Sequence, residues 1–298
     1  MQDLFNNYPL RRNKLGFFEV KDEPLKDDLA HYYSQKYYQE TPSKTYAKSY
    51  EETEKKLIEF RIASRFKALQ QVYKGKMQRF LDVGCGEGFV LKYFLNQGVH
   101  VEGLDFSHAG VLQQNPDLID SVITGDVDQL LHVKVEQLQT YDIIWLQNVL
   151  EHVIDPVDLM AKLKKILADD GVLVLTVPND FSPLQLRALD KGLIDTQFWV
   201  TLPDHLSYFN TETLLNFVDQ LGWQVLDQLA DFPIDWFVMN EQSNYVSNPK
   251  VGVNAHLARL HLETLIAENH INKVNQFYRA LSVIGMGRNT VLFLRKNA

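Results

Sequence analysis

Apolar and polar positions along the chain fall into two alternating rhythms. Phe80, Leu81 and Val83 form a short apolar stretch bounded by polar Gln78 and Arg79, which predicts a buried strand. Gly84, Gly86 and Gly88 follow, and Phe89 to Leu95 then carries a helix-like apolar pattern. The succession recurs. His100 to Asp105, Ser121 to Thr124 and Asp142 to Gln147 predict the second, third and fourth strands. Asp155 as N-cap and Pro156 at the first helical position open a helix through Leu159, Leu163, Ile166 and Leu167. Val172 to Val177 is an almost continuous apolar run, as in a strand covered on both faces of a parallel sheet. Strands alternating with helices before residue 178 predict a doubly wound α/β sheet. Trp223 to Leu229 and Asn289 to Leu294 add two further strands.

The flanks read differently. We divide the chain into an N-terminal helical or lid region, 1–78, and a main domain, 79–298. Asp27 to Tyr38 suggests a short helix and a turn, and Tyr32, Tyr33, Tyr37, Tyr38, Tyr46 and Tyr50 cluster there. This stretch is expected to be an amphipathic cover on the core; the functional alternative is a lid walling a ligand pocket. Glu51 to Val72 predicts one helix with Leu57, Ile58, Ile62, Phe66 and Leu69 at apolar spacing, ended by Gly75. Residues 179–210 have little regular pattern but hold Trp199, Pro203, His205 and Tyr208, which predicts a functional loop. Thr211 to Leu221 reads as a helix ended by Gly222, and 231–282 as an insertion with helices around Ala255 to Glu268 and Lys273 to Ile284.

Composition narrows the partners. Apolar residues make up 45% and charged residues 23%, ordinary for a globular chain. A net charge of −8 without a long basic run argues against nucleic acid as the main partner. The single cysteine, Cys85, excludes an internal disulfide and a thiolate metal cluster, which fits a reducing compartment. The first residues lack a basic segment followed by an apolar one. No apolar run approaches the ~20 residues of a membrane span. The expectation is a cytoplasmic protein with no membrane span.

Strand, glycine turn and helix form a nucleotide-binding βα unit, in which glycines let the backbone approach a ligand. A dinucleotide fingerprint would place its third glycine where Phe89 stands, which disfavours a nicotinamide cofactor. The pattern here is G-x-G-x-G, preceded by Asp82. Asp105 lies 17 residues beyond Gly88, at the strand tip where an acid can accept from both ribose hydroxyls. Its structural alternative is a helix N-cap, a role open to Ser107. Asp126, after Gly125, can accept from the exocyclic amine of adenine, with Val127 against the ring. It can also cap the following helix, and the two roles are compatible. The glycine turn, Asp105, Asp126 and Asn148 to His152 all fall at the carboxyl ends of predicted strands, where this architecture binds its ligands.

In order and spacing, Asp82 to Gly88, Asp105, Gly125-Asp126 and Leu150-Glu-His-Val-x-Asp-Pro156 resemble the class I S-adenosylmethionine (SAM) dependent methyltransferases. The resemblance covers about 79–229 and the closing strand. It implies a Rossmann-like doubly wound sheet of seven strands, the last antiparallel, with a helical N-terminal cover and a C-terminal insertion. Val177-Pro-Asn179, Arg187, Trp199, Pro203, His205-Leu206 and Phe209 are similar to a subgroup that modifies small molecules and glycans. The resemblance further implies SAM as cofactor. Gly84 and Gly86, with Cys85 between them, would approach its methionine part, and Asp82 would hold its amino group. Asp105, with Phe106 beside it, would bind the ribose, Asp126 and Val127 the adenine, and Gln147 or Asn148 would line the pocket near the sulfonium.

Leu150-Glu-His also resembles the E-x-x-E-H segment of ubiquinone O-methyltransferases, which can bind a divalent metal. Asn148 replaces the first glutamate and brings no charge to a hard cation, so no metal is expected. SAM carries an activated methyl group, and the protein must position a nucleophile and, for a hydroxyl, remove a proton. His205 and His152 are the candidate bases. We assign His205 as base and His152 as positioning residue, with Glu151 available to orient one of them. The structural alternative has His152 capping its loop and His205 fixing the segment around it. Nucleic-acid methylation is further disfavoured by Asn148-Val-Leu-Glu, which lacks the N/D-P-P-Y/F pattern. The expected acceptor is a small molecule or glycan, methylated at oxygen. The alternatives are a SAM-binding protein without catalysis and a protein methyltransferase.

Overall fold

The computed structural model describes residues 9–21 and 49–297. Two short strands come first, β1 (Leu10–Arg12) and β2 (Phe18–Val20), then the long helix α1 (Glu52–Val72). The first βα unit is β3 (Arg79–Val83) with α2 (Phe89–Asn96). It is followed by β4 (His100–Asp105), α3 (Ala109–Gln114), β5 (Val122–Thr124), α4 (Val127–Glu136) and β6 (Tyr141–Gln147). Next come α5 (Pro156–Ile166), β7 (Leu167–Pro178), α6 (Pro183–Asp190), β8 (Ser207–Tyr208), α7 (Thr211–Gln220) and β9 (Trp223–Ala230). The chain closes with α8 (Gly252–Ala267), α9 (Ile271–Val283) and β10 (Asn289–Lys296).

The main sheet has seven strands in the order β5-β4-β3-β6-β7-β10-β9. Its first five strands run parallel, and β10 is antiparallel to both β7 and β9. This is the expected doubly wound sheet with an antiparallel closing strand. Side-chain alternation distributes each strand between two cores. Leu81 and Val83 of β3 join Leu131, Leu163 and Phe217 on one face, while Phe80 joins Phe66, Phe94 and Leu281 on the other. Phe80 stacks on Phe94 with ring centroids 3.9 Å apart.

The order reverses beside β3: β4 lies on one side and β6 on the other. A crevice therefore opens above the carboxyl end of β3. The helices that wall it are capped as the sequence predicts. Asp155 accepts from the backbone of Val157 at 3.0 Å and Asp158 at 2.9 Å, and Asp126 accepts from Gln129 at 3.0 Å.

Three expectations are corrected. First, α1 ends at Val72, with Tyr73 as C-cap donating to the Leu69 carbonyl at 2.8 Å. Gly75 lies beyond the turn. Second, 179–210 is not irregular throughout. Ser182 and Gln185 form a reciprocal capping box with Pro183 at the first helical position, and this starts α6. Third, residues 10–20 are a hairpin rather than part of a helical cover: Leu10 pairs with Val20, and Phe18 pairs with Tyr208 of β8. This three-stranded sheet, β1-β2-β8, anchors the segment that carries His205. The tyrosine-rich stretch lies outside the described residues except for Tyr50. Among the described residues, no helix is long and apolar enough to cross a membrane.

Candidate active site

A cleft of about 1140 Å³ opens at the carboxyl ends of the parallel strands. Every candidate site residue taken from the sequence lines it: Asp82, Gly84, Cys85, Gly86, Asp105, Phe106, Asp126, Val127, Gln147, Asn148, His152 and His205. The walls are completed by α1, the 231–234 turn after β9, and α8.

The floor is the glycine turn. Gly84 has φ of +76°, and a Cβ there would stand 2.3 Å from Cγ2 of Val149. The turn is held by Asp105, whose carboxylate accepts from the backbone of Gly86 at 2.8 Å and of Ser107 at 3.1 Å. Each carboxylate oxygen can accept again. Burial raises the Asp105 carboxyl, opposed by these backbone donors. Burial and the nearby Asp105 push Asp82 well above the usual carboxylate range. A cation placed beside this pair would relieve the repulsion between them. Cys85 is buried, and burial drives its thiol upward, so it remains a neutral thiol.

Sequence reasoning missed Gly110. A Cβ at this position of α3 would lie 2.5 Å from the carbonyl oxygen of Gly86. Gly110→Ala is therefore expected to push the turn out of place and to weaken S-adenosylhomocysteine (SAH) binding about tenfold. Calorimetry with unchanged affinity would count against that close packing.

Arg65 was also missed. It is buried on α1, donates to Oε1 of Gln147 at 2.6 Å and makes no ion pair among the described residues. Trp145 donates to the same oxygen at 3.2 Å. Asn148 has a positive φ of 54°, an exposed side chain, and a backbone N–H held by the Thr176 carbonyl at 2.9 Å. No apolar periodicity marks a lone arginine on a helix as a cleft residue. Only its pairing with Gln147 across the fold does so.

The two histidines, distant in sequence, meet at one wall. Their ring centroids are 4.8 Å apart and nearly perpendicular. The backbone N–H of Leu206 donates to the Glu151 carbonyl at 2.7 Å, tying the two loops together. Nδ1 of His152 lies 2.7 Å from the carbonyl oxygen of Asp204. A carbonyl has no proton to give, so neutral His152 carries its proton on Nδ1. Its Nε2 faces Oε1 of Glu151 at 3.9 Å. Glu151 is fully buried, and neither carboxyl oxygen has a hydrogen-bond partner among the described residues. Burial pushes its carboxyl up to about 8, so it is neutral at pH 7.

That shift has a sign for stability. The folded state holds the Glu151 proton more tightly than the unfolded chain, so stability falls as pH rises from the ordinary carboxyl range to about 8. Glu151→Gln is expected to flatten this part of the melting-temperature profile; an unchanged slope would exclude Glu151 as its source.

Glu151, His152 and His205 are the donors a metal would use, with ligand atoms spread over as much as 4.8 Å. Bonds of about 2.0–2.2 Å hold ligands on one ion no more than about 4.4 Å apart. Burial raises the Glu151 carboxyl to about 8, and Asn148 in the cleft lining brings no charge. These three side chains are the group among the described residues that could hold a metal ion.

This cleft, on a sheet with an antiparallel closing strand and a G-x-G-x-G turn, defines a class I SAM-dependent methyltransferase. A profile of the family described as "Methyltransferase domain" matches residues 38–228, so the chain belongs to that family. The chain is 25% identical over 195 residues to the ubiquinone biosynthesis O-methyltransferase of Pasteurella multocida, covering 58% of this chain and 79% of that protein. It is 27% identical over 165 residues to the enzyme of the same name from Histophilus somni, covering 53% and 69%. Among solved structures, a SAM-dependent methyltransferase from Archaeoglobus fulgidus aligns with a TM-score of 0.49 at 20% identity, covering 81% of this chain and 94% of that one.

Proposed function

We propose that this chain methylates a hydroxyl oxygen of a small-molecule or glycan acceptor, with His205 as general base. The observation that carries this reading is the commitment of His152. Its Nδ1–H is spent on the Asp204 carbonyl and its Nε2 faces buried Glu151, so we assign the acceptor's proton to His205, which lines the cleft from the segment before β8. Relatives named as O-methyltransferases support an oxygen acceptor.

SAM, when bound, supplies a methyl group on a cationic sulfur that departs as a neutral thioether. Gly84, Cys85 and Gly86 would give its methionine part a close backbone approach, with Asp82 near the amino group and Arg65 near the carboxylate. Asp105 and Phe106 would receive the ribose, Asp126 and Val127 the adenine, and Gln147 and Asn148 would border the sulfur. His205 would take the acceptor's proton as oxygen becomes nucleophilic, and His152 would hold the wall against which His205 rests. The acceptor would enter between the 179–210 segment, which supplies Asp204 and His205, and the 231–282 segment, which supplies Phe232, Ile234 and Leu260. Tyr50 stands at the edge of the turn, donating to Glu87 at 2.8 Å.

The test is methyl transfer from labelled SAM to a panel of phenols, catechols and sugars, each paired with its amine analogue. Transfer to hydroxyl acceptors, with a rate that falls on the acid side of the pH profile, supports the reading. Transfer only to amines defeats it. Turnover is expected to survive EDTA treatment, and a loss restored by a divalent cation would contradict the metal-free mechanism.

A further inference from the structure

Part of the cleft is walled by α1 and α8 rather than by the strand tips. Leu57 and Ile58 of α1, Leu260 of α8, and Phe232 and Ile234 after β9 give it apolar sides. The whole cleft, about 1140 Å³, exceeds the roughly 300–1,000 Å³ of a site for one small ligand, so an acceptor has room beside a cofactor.

Two arginines line these walls, Arg61 of α1 and Arg259 of α8, and they are not equally paired. Arg61 donates to both oxygens of Glu263, from Nε to Oε1 at 3.0 Å and from a terminal nitrogen to Oε2 at 2.6 Å. Burial works against the Arg61 charge, but this partner outweighs it and holds the guanidinium above its ordinary value. Arg259 is four positions before Glu263, and its Nε stands 3.6 Å from Oε2, beyond hydrogen-bond range. That Nε is buried and has no hydrogen-bond partner among the described residues. Burial lowers the Arg259 guanidinium, Glu263 does not make up the loss, and Arg61 lowers it further. A terminal nitrogen of Arg259 does reach Nδ1 of His256 at 3.3 Å. Arginine cannot accept, so Nδ1 accepts, and the neutral ring carries its proton on Nε2, which faces Glu54 of α1 at 3.5 Å. This relay ties the head of Arg259 to the seam between α1 and α8 and leaves most of its five donors to other partners.

We propose that Arg259 recognises an acid group on the acceptor, so that the substrate is an amphiphile: an apolar body lies against Leu57, Ile58, Leu260 and Phe232, and a carboxylate or phosphate sits on the Arg259 fork. Both anions match a guanidinium's parallel donors. Arg61 is committed to Glu263, and the reading above gives Arg65 to the cofactor's carboxylate. The chain's net charge of −8 repels anions at long range, so a preference for them needs a local site. Arg259 lies beyond residues 38–228, which the family profile matches; the selectivity belongs to this chain's own C-terminal segment. The inference rests on the cleft as a joint cofactor and acceptor site, and not on which atom is methylated.

The experiment is calorimetric titration of SAH-loaded protein and of apoprotein with three probes of similar shape: hydroxyphenylpropionate, its primary amide and hydroxyphenylethyl phosphate. Wild type is expected to bind an anionic probe at least about tenfold more tightly than the amide, the worth of a charge-assisted hydrogen bond. The tighter of the two anions identifies the acid. Arg259→Met should abolish the preference with SAH affinity and melting temperature unchanged, and Arg259→Lys should restore part of it, since the charge returns without the fork. Equal affinity for the three probes in wild type, or binding by none, overturns the proposal even if no variant folds. A preference that persists in folded Arg259→Met also overturns it. Absence of SAH binding in wild type defeats the cofactor assignment instead, and the apoprotein titration then still decides Arg259.

Discussion

His205→Ala is expected to lower turnover by about 10²–10⁴-fold while SAH affinity stays at its wild-type value, the usual share of general-base catalysis. The reason is division of labour in the cleft. The glycine turn, Asp105 and Asp126 stand at the tips of β3, β4 and β5. His205 arrives from a separate segment anchored by β8 and by the bond from Leu206 to Glu151. Removing the imidazole should therefore spare the cofactor and abolish the fall in rate on the acid side of the pH profile. His152→Ala should behave differently. Its Nδ1–H holds the Asp204 carbonyl, so losing it loosens the loop and raises the acceptor KM together with a smaller fall in kcat. Full activity in His205→Ala with an unchanged pH profile would reduce this residue to a structural one.

Asp105→Ala carries the second large effect. Two losses would combine: the proposed ribose contact, and the bond that pins Gly86 at 2.8 Å. A charge-assisted hydrogen bond is worth roughly 1.5–3 kcal/mol, so SAH affinity should fall about tenfold to a hundredfold. Asp105→Asn keeps an acceptor for Gly86 and should lose less. Calorimetry separates the two. Equal losses would mean that the carboxylate's charge, not its hold on the turn, dominates. No loss in either would remove Asp105 from the cofactor site.

The sequence displayed the parts of this fold that follow a simple period. β4 runs from His100 to Asp105 as its apolar pattern implies, and Asp155-Pro156 opens α5 through the bonds its residue types allow. The residues proposed for the cofactor converge on one cleft for the same reason, because each sits at a strand tip fixed by local pattern. What was not legible depends on distant pairing. The hairpin of residues 10–20 has strands of three residues each, too short to display alternation, and it is stable only because Phe18 finds Tyr208. α6 hides behind Ser182, whose capping box was readable but was masked by the aromatic, irregular residues that follow. Arg65, Asp180 and Arg288 carry no pattern at all. Arg65 and Arg288 become visible as cleft residues only when α1 and the residue before β10 come together, and Asp180 only through its bond to Arg288. Gly110 is the same case, since its need to be glycine comes from Gly86 across the turn.

The most direct measurement is a crystal structure of the protein with SAH. The account predicts SAH in the cleft above β3, its ribose hydroxyls on Asp105, its adenine between Asp126 and Val127, its carboxylate toward Arg65, and its sulfur turned toward the side where His205 stands. SAH bound elsewhere, or bound here with the ribose away from Asp105 and the sulfur walled off from His205, would contradict it.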